Sequence, residues 1–184
     1  MQDTLIWETE KILSYIALLN NDLRRLCNSE ITLVGGFLIE IYSFGKYYSD
    51  TIELAVDREC INYLENFIKR EHSISTTRGY RVTNIDTSRI IKLISIPIKN
   101  YDLIPIDIDG FTINALSPED LIIFYLDRYK TTNNKEYVIK AYDALLVLRH
   151  WIDISILICK SIRHGLLKEI MSLLRMLDSL SYLN

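Results

Sequence analysis

The stretch Ile31-Thr-Leu-Val-Gly-Gly-Phe-Leu-Ile-Glu-Ile-Tyr-Ser-Phe-Gly-Lys-Tyr-Tyr-Ser-Asp-Thr-Ile-Glu-Leu-Ala-Val-Asp57 decides the fold. Ile31 to Val34 is a short β-prone apolar run. Gly35-Gly36 follows at once, where a backbone can turn sharply or come close to a ligand. Phe37, Leu38, Ile41 and Tyr42 recur at helical spacing, and Gly45 reads as the C-cap. Thr51-Ile-Glu-Leu-Ala-Val then alternates as a half-buried strand. Thr51, Glu53 and Ala55 share one face; Ile52, Leu54 and Val56 share the other. The order is strand, glycine turn, short helix, second strand.

On the N-terminal side, residues 3–27 read as an amphipathic helix with a stripe of Leu5, Ile12, Ile16, Leu19, Leu23 and Leu26. Asp3 is its candidate N-cap, and Arg24 and Arg25 complement the dipole at its end. On the C-terminal side, residues 57–72 form a second helix with Ile61, Leu64, Phe67 and Ile68 inward. Ser73 to Gly79 reads as a polar loop. Residues 80–85 and 89–96 read as strands joined by a turn at residues 86–88, the second closed by Pro97. Asp107-Ile-Asp109 precedes Gly110 as a turn into the strand Phe111–Leu116. Turn acids serve local hydrogen bonds more often than metals. Ser117 as N-cap, Pro118 at N1 and Asp120 at N3 start a helix. Thr131-Thr-Asn-Asn134 is a polar loop, and helices follow from Glu136 with breaks near His150–Asp153 and at His164-Gly165.

With 184 residues, 49% of them apolar, and a mean hydropathy of +0.10, the chain can bury a sizeable core. A net charge of −3 gives no overall electrostatic case for a nucleic-acid binder. Cys27, Cys60 and Cys159 are odd in number and far apart, without zinc or redox spacing. They read as small buried hydrophobes in a reduced, cytoplasmic setting. The first residues carry no basic leader, and no window reaches the roughly 20 apolar residues of a membrane helix. His72, His150 and His164 have no ligand spacing.

The Gly35-Gly36 turn, the Thr51-Ile-Glu-Leu strand and the later strands resemble, in order, the nucleotidyltransferase superfamily, whose fold includes DNA polymerase β and the minimal nucleotidyltransferases. In that family a strand carries two acids separated by one residue. Such acids point the same way and hold Mg²⁺ between them. The metal stabilises charge in phosphoryl transfer while the glycine turn cradles phosphate oxygens. The resemblance assigns Glu53 to the second acid, with Thr51 in the place of the first and Lys92, in Ile91-Lys-Leu-Ile-Ser, in the place of a third. These three are the candidate catalytic residues. Glu53 and Asp50 are the candidate metal ligands of an active form, with Asp107 as another stand-in. Asp50 points to the opposite face unless the strand bulges. The plainer reading of Lys92 is an exposed strand lysine.

The segment Phe111–Ile123 resembles the part that follows the core in a prokaryotic group of this superfamily that includes toxin–antitoxin proteins. By that resemblance Arg128, Lys130 and Lys135 contact a triphosphate or an acceptor, and Gly35, Gly36 and Ser43 belong to the nucleotide site. The fold expected is α/β, or α+β. Its parts are a small mixed sheet with packed helices over residues 1–130 and a helical appendage over residues 131–184.

Three functions stay open. One is a degenerate nucleotidyltransferase-fold protein that binds a nucleotide or phosphate and works through a partner, as in a toxin–antitoxin or regulatory complex. Another is an active Mg²⁺-dependent enzyme moving a nucleotide from an NTP to a hydroxyl of RNA or protein. The last is a helical interaction module that binds a protein partner or a second copy through its C-terminal helices. The loss of two acids favours the first.

Overall fold

In the computed structural model, residues 2–70, 73–76, 79–82 and 88–181 are described. The chain divides into two compact units, Met1–Leu116 and Ser117–Asn184. The first unit carries the sheet and the second is helical.

Helix α1 (Gln2–Cys27) buries Ile12, Ile16, Leu19 and Leu23, four residues of the expected stripe, whereas Leu26 is exposed. The turn after it is pinned by side chains. Asn20 Oδ1 accepts from Ile31 N–H at 2.7 Å, and Ser29 Oγ donates to Asp57 Oδ2 at 2.9 Å. Strand β1 (Thr32–Val34), helix α2 (Gly36–Tyr42) and strand β2 (Thr51–Ala55) follow as the glycine turn requires. Helix α3 (Arg58–Arg70) turns Cys60, Leu64 and Ile68 inward. The other strands are β3 (Ser73–Thr76), β4 (Gly79–Val82), β5 (Ile90–Ile94), β6 (Leu103–Ile108) and β7 (Phe111–Leu116).

The seven strands form one mixed sheet in the order β3-β4-β5-β2-β1-β7-β6. Strand β1 is antiparallel to β2 and parallel to β7, and β2 is parallel to β5. Strand β2 is therefore near the middle of the sheet. Its residues from Ile52 on are buried on both faces, not on alternate ones as the pattern suggested. Ser73–Thr76, read as a loop, pairs with β4 at the other edge. The turn expected at residues 86–88 and His72 fall largely or wholly outside the described residues.

Helix α2 ends in a Schellman motif: Gly45 N–H donates to Glu40 O at 2.9 Å and Phe44 N–H to Ile41 O at 3.1 Å. Ser43 is the C-cap, and Phe44 takes the left-handed position at φ 53°.

Two expectations about cysteine are corrected. Cys27, at the end of α1, and Cys60, in the first turn of α3, form a disulfide with Cα atoms 6.1 Å apart. Cys159 is exposed. The pair lies 33 residues apart in sequence, so spacing did not reveal it, and the reading of a reduced setting loses its basis.

In the second unit, α4 (Pro118–Thr132), α5 (Glu136–Leu148), α6 (Ile154–Arg163) and α7 (Leu167–Ser181) pack on each other. Ser117 caps α4, its hydroxyl accepting from Asp120 N–H at 3.1 Å, and Asp153 caps α6 by accepting from Ser155 and Ile156. Asp120 and Lys160 form a buried ion pair between α4 and α6. Glu119 Oε1 accepts from Asp153 N–H at 2.8 Å, and His164 Nδ1 meets Asp127 Oδ2 at 2.7 Å. No helix among the described residues is long and apolar enough to cross a membrane.

Candidate nucleotide site

Glu53 and the glycine turn meet in space. Val34 lies opposite Glu53 in the β1–β2 ladder, so Gly35 follows directly beside it. A Cβ on Gly35 would stand 2.0 Å from Glu53 Oε2, and Gly35 has φ +80° and ψ −162°, a region that only glycine enters freely. A Cβ on Gly36 would stand 2.6 Å from Ser49 Oγ. Gly35 is thus required by both close packing and the turn, and Gly36 by its packing on Ser49.

On the other side of β2, Lys92 is the register partner of Glu53 in the parallel β2–β5 pair. Neighbours across a sheet share a face at a strand spacing of about 4.8 Å. Lys92 therefore stands beside Glu53, where a third carboxylate was expected. Glu53 is 9% exposed and Lys92 is half-buried. Thr51 precedes Glu53 on the same face, and its hydroxyl donates to Asp50 Oδ1 at 3.0 Å.

Asp50 lies just before the strand. The register runs without interruption from Thr51–Ile90 to Ala55–Ile94, and Ile90 N–H donates to Asp50 O at 3.0 Å. The Asp50 carboxylate is taken up by the Thr51 hydroxyl. Asp107 is further removed. Strand β6 lies three strands from β2, about 14 Å at that spacing. The Asp107 carboxylate instead accepts from Thr112 Oγ1 at 2.8 Å, and Asp109 accepts from Ser14 Oγ at 2.9 Å. Among the described residues there is no group of three or more His, Cys, Asp or Glu that could hold a metal ion. A single carboxylate beside an ammonium does not fit Mg²⁺, which takes hard oxygen ligands in a near-octahedral shell.

Ser43 lies at the C-terminal end of α2. It is buried, donates to Glu40 O at 3.1 Å and accepts from Tyr47 N–H at 3.1 Å, which fixes the loop between α2 and β2. That loop rests on a buried ion pair that no local pattern announced. Arg89 is 0% exposed; its Nη1 and Nη2 donate to the Glu40 carboxylate at 2.8 and 2.9 Å. Glu40 Oε2 also accepts from Ser49 N–H at 3.0 Å, so the pair reaches the residue packed on Gly36. Burial pulls the Arg89 guanidinium down, but hydrogen bonds and charge from Glu40, with Glu8 behind it, outweigh burial and hold it above its ordinary value. Tyr48 and Phe37 cover the guanidinium at 4.7 and 5.1 Å from their ring centroids.

Two solved structures share this architecture. A nucleotidyltransferase-like antigenic protein from Paracoccidioides brasiliensis superposes with a TM-score of 0.59 at 12% identity, over 92% of this chain and 87% of that one. The fold is that of the nucleotidyltransferases. The antibiotic-resistance factor ANT(2'')-Ia superposes with a TM-score of 0.52 at 14% identity over 100% of both chains. No family model matches the sequence, and no curated protein does. At these identities the likeness is one of nucleotidyltransferase fold, and the site has to be argued from its own residues.

Arg128 and Lys135 belong to the helical unit. Arg128 Nη2 donates to Tyr137 Oη at 3.0 Å, and Lys135 is exposed at the start of α5. Lys130 Nζ donates to Gly165 O at 3.4 Å.

Proposed function

We propose that this nucleotidyltransferase-fold protein binds a nucleotide or phosphate beside the Gly35-Gly36 turn without transferring it, and acts through a partner in a toxin–antitoxin or regulatory setting. The observation that carries the reading is Lys92 in register with Glu53. Two or three converging acids attract a divalent cation and repel phosphate until the cation arrives. Here one negative charge and one positive charge stand side by side, so the site has no net charge to draw Mg²⁺. A phosphate meets an ammonium rather than a cluster of carboxylates. Losing acidic metal ligands removes the electrostatic stabilisation that dominates phosphoryl transfer, several kcal/mol of it. A hydroxyl at Thr51 does not restore that charge. In the helical unit, Arg128 and Lys135 are proposed as further phosphate contacts, and the C-terminal helices as the surface for a protein partner or a second copy.

Titration calorimetry with ATP tests the proposal. Binding should be equal with Mg²⁺ and with EDTA, and Lys92→Gln should weaken it by about tenfold or more, the loss of one charge-assisted contact. Strict Mg²⁺ dependence would overturn the reading. So would transfer of label from α-labelled ATP to RNA or protein that Glu53→Gln abolishes; that outcome establishes the active enzyme. Absence of any nucleotide or phosphate binding would leave the helical interaction module.

A further inference from the structure

Helices α4, α5 and α7 of the helical unit line a pocket of about 290 Å³. Its floor is apolar. Leu126 on α4 and Leu173 on α7 are buried there, and Val138 on α5 is half-buried. Met176, also on its wall, leaves 49% of its surface in water. The volume is at the lower end of the range for small-molecule sites, which are apolar clefts with a few polar groups that orient the ligand.

Helix α7 gives the pocket a polar end and an apolar end. Glu169, Ser172, Leu173 and Met176 fall on one stripe at helical spacings of three and four, and Lys168 stands one turn before Ser172. Charge is therefore gathered in the first turn of α7, and the apolar wall lies further along the helix. Glu169 at that end suits the helix dipole, whereas Lys168 opposes it. Helix stability thus accounts for the first charge and not for the second. Neither is in an ion pair among the described residues, and Ser172 and Tyr129, which also line the pocket, make no side-chain hydrogen bond among them.

A ligand with a single charge suits only one of the two. A carboxylate is drawn to Lys168 and repelled by Glu169, and an amine the reverse. A head group that carries both charges satisfies both, and an apolar body beyond it covers Leu173 and Met176. We propose that this pocket binds a free α-amino acid with a large apolar side chain. Its carboxylate meets Lys168 and Ser172, its ammonium meets Glu169, and its side chain lies toward Met176. The pocket is lined wholly by the helical unit, so the proposal does not rest on the reading of the glycine turn.

The probe is L-phenylalanine, titrated into the full chain labelled with carbon-13 at its methionine methyls and followed by nuclear magnetic resonance. Met176 lines the pocket and Met171 does not, so one methyl reports and the other is the control. The ring of the bound side chain should shift the Met176 resonance and leave Met171 in place. Lys168→Gln and Glu169→Gln should each weaken binding by about fivefold, the worth of one exposed charge contact, with the far-ultraviolet circular dichroism unchanged. 3-Phenylpropionate lacks the ammonium and phenethylamine lacks the carboxylate; each should bind more weakly than phenylalanine. Ser172→Phe, at an exposed position, should fill the pocket and abolish the shift. No shift at Met176, an equal shift at Met171, or unaltered affinity in either charge variant overturns the proposal. So does either analogue binding as tightly as phenylalanine.

Discussion

Gly35 shows how one residue can be demanded twice. Its backbone lies where a side chain is strained, and its missing Cβ leaves the space that Glu53 fills. Gly35→Ala should destabilise the chain by at least the 1–3 kcal/mol of such backbone strain, measured by urea unfolding. Glu53→Ala should relieve only part of the loss, because the Glu53 Cβ itself would stand 2.9 Å from the new methyl. A variant as stable as the parent would show that the turn can relax. Asp143 carries a prediction of opposite sign. Burial raises its folded pKa, so the native state binds the extra proton, and stability falls as pH rises from the ordinary carboxylate value through the raised one. Asp143→Asn should therefore be more stable than the parent at pH 7, with the gap closing below about pH 4; parallel thermal melts across pH check this. The glycine turn and Glu53 were legible because their partners are close in the chain. The Arg89–Glu40 pair was not, since its members are 49 residues apart and an arginine opening a strand looks like any edge residue.

At the scale of elements, β6 explains both a missed strand and a protected edge. Leu103–Ile108 contains a proline and is mostly exposed, so it read as the approach to a turn. The turn itself, Asp109-Gly110 with φ of 50° and 80°, is the two-residue hairpin in which Ile108 and Phe111 form the hydrogen-bonded closing pair. Alternation then puts Pro105, opposite Asn114, at a position whose amide side faces away from β7. The open edge of the sheet thus lacks a donor in its middle, a common protection against edge-to-edge pairing. Pro105→Val restores that donor on an apolar strand and should raise self-association, seen as faster-sedimenting species and a lower onset of aggregation on heating. Unchanged sedimentation would mean that something other than Pro105 protects the edge. The link between α1 and α3 offers a second test. For a closed loop of this length the chain-entropy model predicts a loss of about 2–4 kcal/mol when Cys27 and Cys60 are both replaced by serine, and the same loss in the parent under dithiothreitol.

At the scale of the molecule, the order of elements was readable because it follows from local signals placed in sequence: an apolar run, a glycine pair, an alternating strand, a capped helix. The division between units was less so. The polar loop near Asn134 looks like a boundary, yet Ser117–Leu126 already belongs to the helical unit. Among the contacts that join α4 to that unit is the buried Asp120–Lys160 pair, and a partner forty residues away leaves no mark on the helix start. This pair sets the stability of the unit in a way that can be measured. A core of fewer than about 70–80 residues supplies only some 3–5 kcal/mol. Removing one member of a buried ion pair costs about the same 3–5 kcal/mol, because the other charge stays behind in the core. Residues 117–184 expressed alone should be helical and unfold cooperatively but marginally. Lys160→Met in that fragment should abolish the cooperative transition, whereas Asp120→Leu combined with Lys160→Met, which leaves no stranded charge, should recover part of it. Circular dichroism during heating distinguishes these cases. A single Lys160→Met variant that still melts cooperatively would show that the pair contributes far less than its burial implies.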